Sequence, residues 1–171
     1  MKEISKEAFA HDLENIRFIP RFEPANHPRR EAYRAFLHGL RIKILLMCGY
    51  GVVIVGRCRS GKTYLLERAL PGRVFGPDRA AVLAGKLGCF NIGSAPKGMF
   101  AVDEPTYFKP SDLHSCFPAL RKRKVVFAVQ ALTHLTRLKL DELFAQRLKI
   151  VYLGSREEFL HERARVGLAV G

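Results

Sequence analysis

Short apolar runs and amphipathic stretches take turns along most of this chain. Val52-Val53-Ile54-Val55 is a continuous β-branched run, the pattern of a strand buried on both faces, and predicts a strand over about 51–56. Similar runs predict strands at 99–103, 125–130 and 149–153, the last closed by Gly154. Arg73-Val74-Phe75 reads as a short edge strand. Between these runs the apolar period lengthens to that of a helix. Helices are expected at 61–70, ended by Pro71-Gly72, and weakly from Asp78 to Leu87, closed by Gly88. Another runs from a cap at Ser111 or Asp112 to about Arg121. A longer one covers 133–147, with Leu135, Leu138, Leu143 and Phe144 apolar. Ser155-Arg156-Glu157-Glu158 has the spacing of a capping box and starts a terminal helix from Arg156 to Val166.

Ahead of this alternation the pattern is less regular. Ser5 is placed to cap a short helix, with Glu7 and Asp12 early in it and Leu13, Ile16 and Phe18 on its apolar side. Pro20, Pro24 and Pro28 punctuate a linker, and Pro28 suits the first turn of a longer helix. In that helix Tyr33, Phe36, Leu37, Leu40 and Ile44 recur at helical spacing, with arginines between them. It is expected to pack on the edge of the sheet and is also suited to meeting a partner.

Strands alternating with helices imply an α/β fold: a mostly parallel sheet, here of five strands, covered by helices on both faces. Ligands bind such sheets at the carboxyl ends of the strands. The expected division is an N-terminal extension with a basic amphipathic helix at 1–49, a core at 50–154 and a C-terminal helix at 155–171.

The candidate chemistry follows the first core strand. Gly56-Arg57-Cys58-Arg59-Ser60-Gly61-Lys62-Thr63 matches G-x-x-x-x-G-K-[ST], the P-loop or Walker A pattern, between a predicted strand and a predicted helix. Backbone N–H groups of such a loop and the helix N-terminus point at an anion. Lys62 is placed for the β- and γ-phosphates and the Thr63 hydroxyl for Mg²⁺; Tyr64 is counted with the nucleotide-binding segment. Arg57 and Arg59 add positive charge beside the phosphates or face solvent, and Cys58 is a small filler.

A second motif agrees. Gly98-Met99-Phe100-Ala101-Val102-Asp103-Glu104 ends an apolar run in two carboxylates, as a Walker B strand does. Asp103 would hold the Mg²⁺ shell, usually through water, and Glu104 would act as general base on the attacking water. The strand at 125–130 ends in Gln130, a polar amide.

These motifs resemble the large division of three-layer P-loop NTPases marked by a catalytic glutamate and an extra strand between Walker A and Walker B. That division includes the AAA+ and RecA-like ATPases and the FtsK/HerA-type DNA pumps. The resemblance covers about residues 50–154. It implies that Gln130, in the setting Val129-Gln130-Ala131-Leu132, senses the γ-phosphate or orients the lytic water. It also implies an arginine finger supplied by a neighbouring subunit of an oligomer. Arg147 is the first candidate, followed by Arg121, Arg123 and Arg137. The short stretch after the last strand has no room for the helical lid of full AAA+ ATPases. Compactness is similar to that of accessory ATPases of plasmids and phages, Zot-like assembly ATPases among them.

Charge sharpens the picture. The net charge of +13 favours a polyanionic partner. Its densest run, Arg121-Lys122-Arg123-Lys124, is the candidate contact to DNA or RNA phosphates, a contact that salt would weaken. Cys48, Cys58, Cys89 and Cys116 are scattered, so neither a zinc site nor a disulfide frame is indicated. The N-terminus has no secretory pattern and the most apolar segment, Ile44 to Val55, is too short for a bilayer. A cytoplasmic protein is expected.

Three functions fit. The first is a Mg²⁺-dependent ATPase acting on nucleic acid or on a partner bound to it. The second is a small nucleotide or metabolite kinase, against which the Asp103-Glu104 pair counts. The third is a nucleotide-dependent regulator of a larger motor or secretion complex, docked through the helix at 28–44. No guanine-reading motif of the N/T-K-x-D type is present, so ATP is the expected nucleotide.

Overall fold

The structure, a computed structural model, describes residues 16–165. Its elements are β1 (Ile16–Ile19), α1 (Pro28–Met47), β2 (Gly51–Val55), α2 (Lys62–Ala69), β3 (Val74–Phe75), α3 (Arg79–Leu83) and β4 (Phe100–Asp103). There follow α4 (Pro110–Ser115), α5 (Phe117–Leu120), β5 (Val125–Val129), α6 (Thr133–Arg137), α7 (Leu140–Phe144), β6 (Leu148–Leu153) and α8 (Arg156–Arg165). The six strands form one all-parallel sheet in the order β1-β6-β2-β5-β4-β3. This is an α/β fold. Among the described residues no helix is long and apolar enough to cross a membrane.

The apolar strands alternate their side chains between two cores. Val53, Val55, Phe127, Val129, Ile150 and Tyr152 point to one face, where α4 to α8 supply Leu113, Leu120, Leu135, Leu143 and Phe159. Val52, Ile54, Val126, Ala128, Val151 and Leu153 point to the other, against Ala35, Ile42 and Leu46 of α1 and Leu65, Leu66 and Ala69 of α2. Burial on both faces is why these strands read as continuous apolar runs rather than alternating ones.

Among the described residues the sheet has six strands, not five. The extra one is β1, at Ile16 and Phe18, where an amphipathic helix was expected. It pairs with β6 from Ile16↔Ile150 to Ile19↔Leu153. Alternation explains it: Ile16 and Phe18 pack on one face and Ile19 on the other. Phe18 meets Phe159 edge to face, with ring centroids 5.5 Å apart. The start expected for that helix, at Ser5, Glu7, Asp12 and Leu13, lies outside the described residues, as does the expected end of the last helix at Val166.

Several helices are shorter than the pattern predicts. The stretch expected at 78–87 is helical only over Arg79–Leu83, capped by Asp78, and turns off at Gly85 with φ +68°. The helix expected to about Arg121 divides at Cys116, ahead of Pro118, and its cap residue is Lys109 rather than Ser111 or Asp112. Proline lacks an N–H and crowds the preceding turn, which accounts for the division. The helix expected at 133–147 breaks into α6, α7 and a 3₁₀ turn, with Lys139 at φ +55° and Ala145 at φ +47°. The capping box of α8 forms as predicted: Glu158 N donates to Ser155 Oγ at 3.1 Å and Ser155 N to Glu158 Oε2 at 2.9 Å.

α1 begins at Pro28 as expected, but it packs by the opposite side. Ala35, Gly39, Ile42 and Leu46 face α2 and the sheet, not the sheet's edge, while the large apolar stripe points outward. Close approach selects the small residues. A Cβ on Gly39 would stand 2.9 Å from the Ala69 Cα.

Candidate functional site

Parallel strands bring every loop that follows a strand to one edge of the sheet. The loop after β2, the end of β4 and the end of β5 meet there. β5 lies between β2 and β4, so Walker A and Walker B stand two strands apart with Gln130 between them.

The loop 56–61 is pinned at several points. Gly56 N donates to the Val129 carbonyl at 3.1 Å. A Cβ on Gly56 would come within 2.5 Å of Ser60 Oγ, so the turn is too tight for a side chain. Gly61 at φ +90° hands the loop to α2, and Arg59 also has positive φ, +61°. Such alternation curls successive N–H groups around a concavity suited to an anion. The first turn of α2 adds N–H groups with no intrahelical acceptor.

Lys62 is 5% exposed and lies back across this loop. Its Nζ donates to the carbonyls of Gly56 at 2.7 Å and Arg57 at 3.0 Å. The ammonium is thereby held over the concavity. Arg57, Cys58 and Arg59 are exposed at the rim, and Tyr64 is partly buried behind it.

Thr63 Oγ1 donates to Asp103 Oδ2 at 2.7 Å. The other oxygen, Asp103 Oδ1, is buried without a hydrogen-bond partner among the described residues, as is Ser60 Oγ. An unpaired buried carboxylate oxygen beside a hydroxyl is a donor set suited to a hard cation and its water shell. Thr63 and Asp103 therefore fit Mg²⁺, although no group of three or more His, Cys, Asp or Glu among the described residues is arranged to hold a metal.

Glu104 follows Asp103 in the left-handed region, φ +52° and ψ +50°. That backbone costs a non-glycine residue about 1–3 kcal/mol. It turns the carboxylate toward β5, where Gln130 Nε2 donates to Glu104 Oε2 at 2.7 Å. Register makes the contact: Asp103 stands opposite Ala128, and Glu104 N donates to the Ala128 carbonyl at 3.2 Å. Burial raises the Glu104 pKa, against the lowering influence of the Gln130 hydrogen bond and the Lys62 charge.

Beside this pair lies a cavity of about 340 Å³, lined by Lys86, Tyr107, Gln130, His134 and Arg137 among others. His134 is pushed below its ordinary pKa by burial and by the Arg137 charge. Arg137 was a secondary arginine in the sequence; His134 carried no motif to mark it.

Phe22 is another residue that the pattern hid, within a proline-punctuated linker. It is 3% exposed, its N–H donates to the Ser60 carbonyl at 3.1 Å, and a Cβ on Gly61 would lie 2.6 Å from its Cβ. It props the loop 56–61 from behind.

Arg147 and the basic run 121–124 are elsewhere. Arg147 is exposed in the turn that enters β6, at the amino edge of the sheet, about 16 Å of strand away from the loop edge. Arg121, Lys122, Arg123 and Lys124 precede β5 at that same far edge. Arg121, Lys122 and Lys124 are exposed, while Arg123 stacks over Phe100 at 4.6 Å and donates to the Pro96 carbonyl.

No protein-family model, curated protein or solved structure matches this chain. Its parallel α/β sheet is compatible with a P-loop NTPase.

Proposed function

We propose that this chain is a three-layer P-loop NTPase of the catalytic-glutamate division and hydrolyses ATP. The observation that carries the reading is one edge of the sheet holding two contacts: Thr63 to Asp103 and Gln130 to Glu104, each 2.7 Å. An insertion of β5 between the Walker strands supports the division, as the resemblance implies. The loop N–H groups and Lys62 bind the phosphates. Water attacks the γ-phosphorus, its bond to the β–γ bridging oxygen breaks, ADP departs, and Glu104 accepts the proton from water. Gln130 holds Glu104 in place and orients the water. Thr63 and Asp103 would hold Mg²⁺, which neutralises charge on the phosphate oxygens. Arg137 shares the cavity with Gln130 and is the nearer source of compensating charge, whereas Arg147 serves a γ-phosphate only from a neighbouring subunit.

The net charge of +13 supports nucleic acid, or a partner bound to it, as the object of this ATPase. The far-edge run 121–124 would contact phosphates away from the nucleotide. The deciding experiment is phosphate release from ATP with and without DNA, at low and moderate salt, for the wild type and Glu104→Gln. DNA-stimulated release that salt weakens and Glu104→Gln abolishes is expected. Release equal in Glu104→Gln would remove the reading.

One observation favours a second reading, phosphotransfer to a small acceptor. The cavity beside Gln130 is large enough for one and carries Lys86 and Arg137 on its walls. Transfer of labelled γ-phosphate to an acceptor rather than to water would select it.

A further inference from the structure

The outer side of α1 carries an exposed apolar stripe. Tyr33, Phe36, Leu37, Leu40, Ile44 and Met47 are all exposed, Tyr33 and Met47 at 64%. Only three other large apolar side chains are comparably exposed among the described residues, so the feature belongs to this helix. Concentration of that kind marks an interaction site. The inner side of α1 is already committed to α2 and the sheet.

The spacing of the stripe says what kind of surface it is. Tyr33, Leu37, Leu40, Ile44 and Met47 follow alternating steps of four and three residues, the period of a coiled-coil seam. Leu37 and Ile44 take the a positions, and Tyr33, Leu40 and Met47 the d positions. The flanking e and g positions hold Phe36, Arg41 and Lys43, and also Arg34, whose guanidinium turns inward to Glu31 and the Pro20 carbonyl. Glu31 is the helix's one acidic residue; it is buried and bound to Arg34. The seam is thus about 21 Å long, flanked by the cations Arg41 and Lys43 and without an acid of α1 on its outer side.

We propose that this seam docks an amphipathic helix of another protein, one with aliphatic a and d positions and acidic e and g positions. Charge complementarity selects this occupant. A second copy packed antiparallel would bring Arg41 and Lys43 beside their like-charged counterparts, and one packed parallel gains no ion pair. An anionic bilayer is served less well. Interfacial helices bury their apolar side about 5–10 Å deep, whereas α1 is fastened by its inner side and offers one stripe of side chains. Knobs packing into another helix need only that stripe. The docking surface is independent of the nucleotide site.

The test uses the full chain and two labelled peptides that share a Leu/Ile seam. One has Glu at e and g, the other Lys. Fluorescence anisotropy is expected to show the Glu peptide binding at least about tenfold tighter, with the preference shrinking in salt. Combining Leu40→Glu with Ile44→Glu should weaken binding by at least about tenfold while the circular dichroism and unfolding midpoint stay unchanged. Absence of binding, equal binding of both peptides, or indifference to the substitutions would overturn the proposal. So would a dimer in sedimentation that the substitutions dissolve, or flotation with phosphatidylserine vesicles that they abolish. A drop in the unfolding midpoint of the substituted chain would mean that the chain covers its own seam, and would also overturn it.

Discussion

The Thr63 hydroxyl donates to Asp103 at 2.7 Å, joining the first turn of α2 to the end of β4 across two strands of the sheet. The hydrogen bond ties the start of α2, at the end of the loop 56–61, to the carboxyl end of β4. Thr63→Val keeps the shape and removes the donor. It should lower Mg²⁺-dependent nucleotide affinity by roughly 10–100-fold, an effect of the size seen when groups supporting a metal are lost. Titration of a fluorescent nucleotide with and without Mg²⁺ checks this, and an unchanged Mg²⁺ dependence would count against the pairing.

Lys62 and Glu104 should separate binding from turnover. Lys62→Ala removes the ammonium held over the loop and should abolish nucleotide binding. Glu104→Gln keeps size and polarity but cannot take a proton, so binding should persist while turnover falls about 10²–10⁴-fold. Equilibrium nucleotide binding and phosphate release, measured on the same preparations, report the two effects.

Glu104 also stores backbone strain at φ +52°. Glu104→Gly should therefore lose turnover without losing stability, because glycine adopts this conformation without the Cβ penalty of about 1–2 kcal/mol. Urea unfolding of the two chains compares them; a clear destabilisation would show that the carboxylate contributes more through Gln130 than the strain costs.

Gly39 should be the most sensitive position of α1. A Cβ there meets backbone of α2 at 2.9 Å, so Gly39→Val should cost about 1–3 kcal/mol through overpacking. Leu40→Gln, one residue on, is exposed and should fall within about 0.5 kcal/mol of the wild type. Denaturant midpoints test the pair.

His38 gives stability a pH dependence. Burial, joined by the Arg17, Arg41 and Arg34 charges, lowers its pKa from 6.5 to about 4. The unfolded chain therefore takes up this proton first as pH falls. Stability from the neutral side chain is complete above about 6.5 and is lost progressively toward 4. His134 is shifted the same way and adds to the effect. The unfolding midpoint should fall between pH 6.5 and 5, and His38→Gln should flatten part of that slope.

The sequence was most informative where one physical demand dominated. Strands buried on both faces must be apolar throughout, so β2, β4, β5 and β6 stood out, and the residues at their ends followed. Positive φ at Arg59, Glu104, Lys139 and Ala145 carried no glycine to announce it. The 133–147 helix was accordingly expected whole. α1 misled for a different reason. Hydrophobic size marked its large residues as the packed side, yet close helix approach uses small ones. Phe22 was hidden because its contact depends on a return of the chain to the loop 56–61, which no local pattern encodes. Register, too, is a tertiary fact: only the pairing of β4 with β5 brings Gln130 to Glu104.

Among the described residues the two strands that border the sheet are short, β3 with two residues and β1 with four. Unpaired strand borders are templates on which other chains add strands, and brevity is one way proteins suppress that addition. Along these described borders, self-association by backbone ladders, and the aggregation that follows from it, is therefore discouraged. Assemblies of this protein would be built from side chains on helices and loops, and so would remain sensitive to single substitutions and to salt.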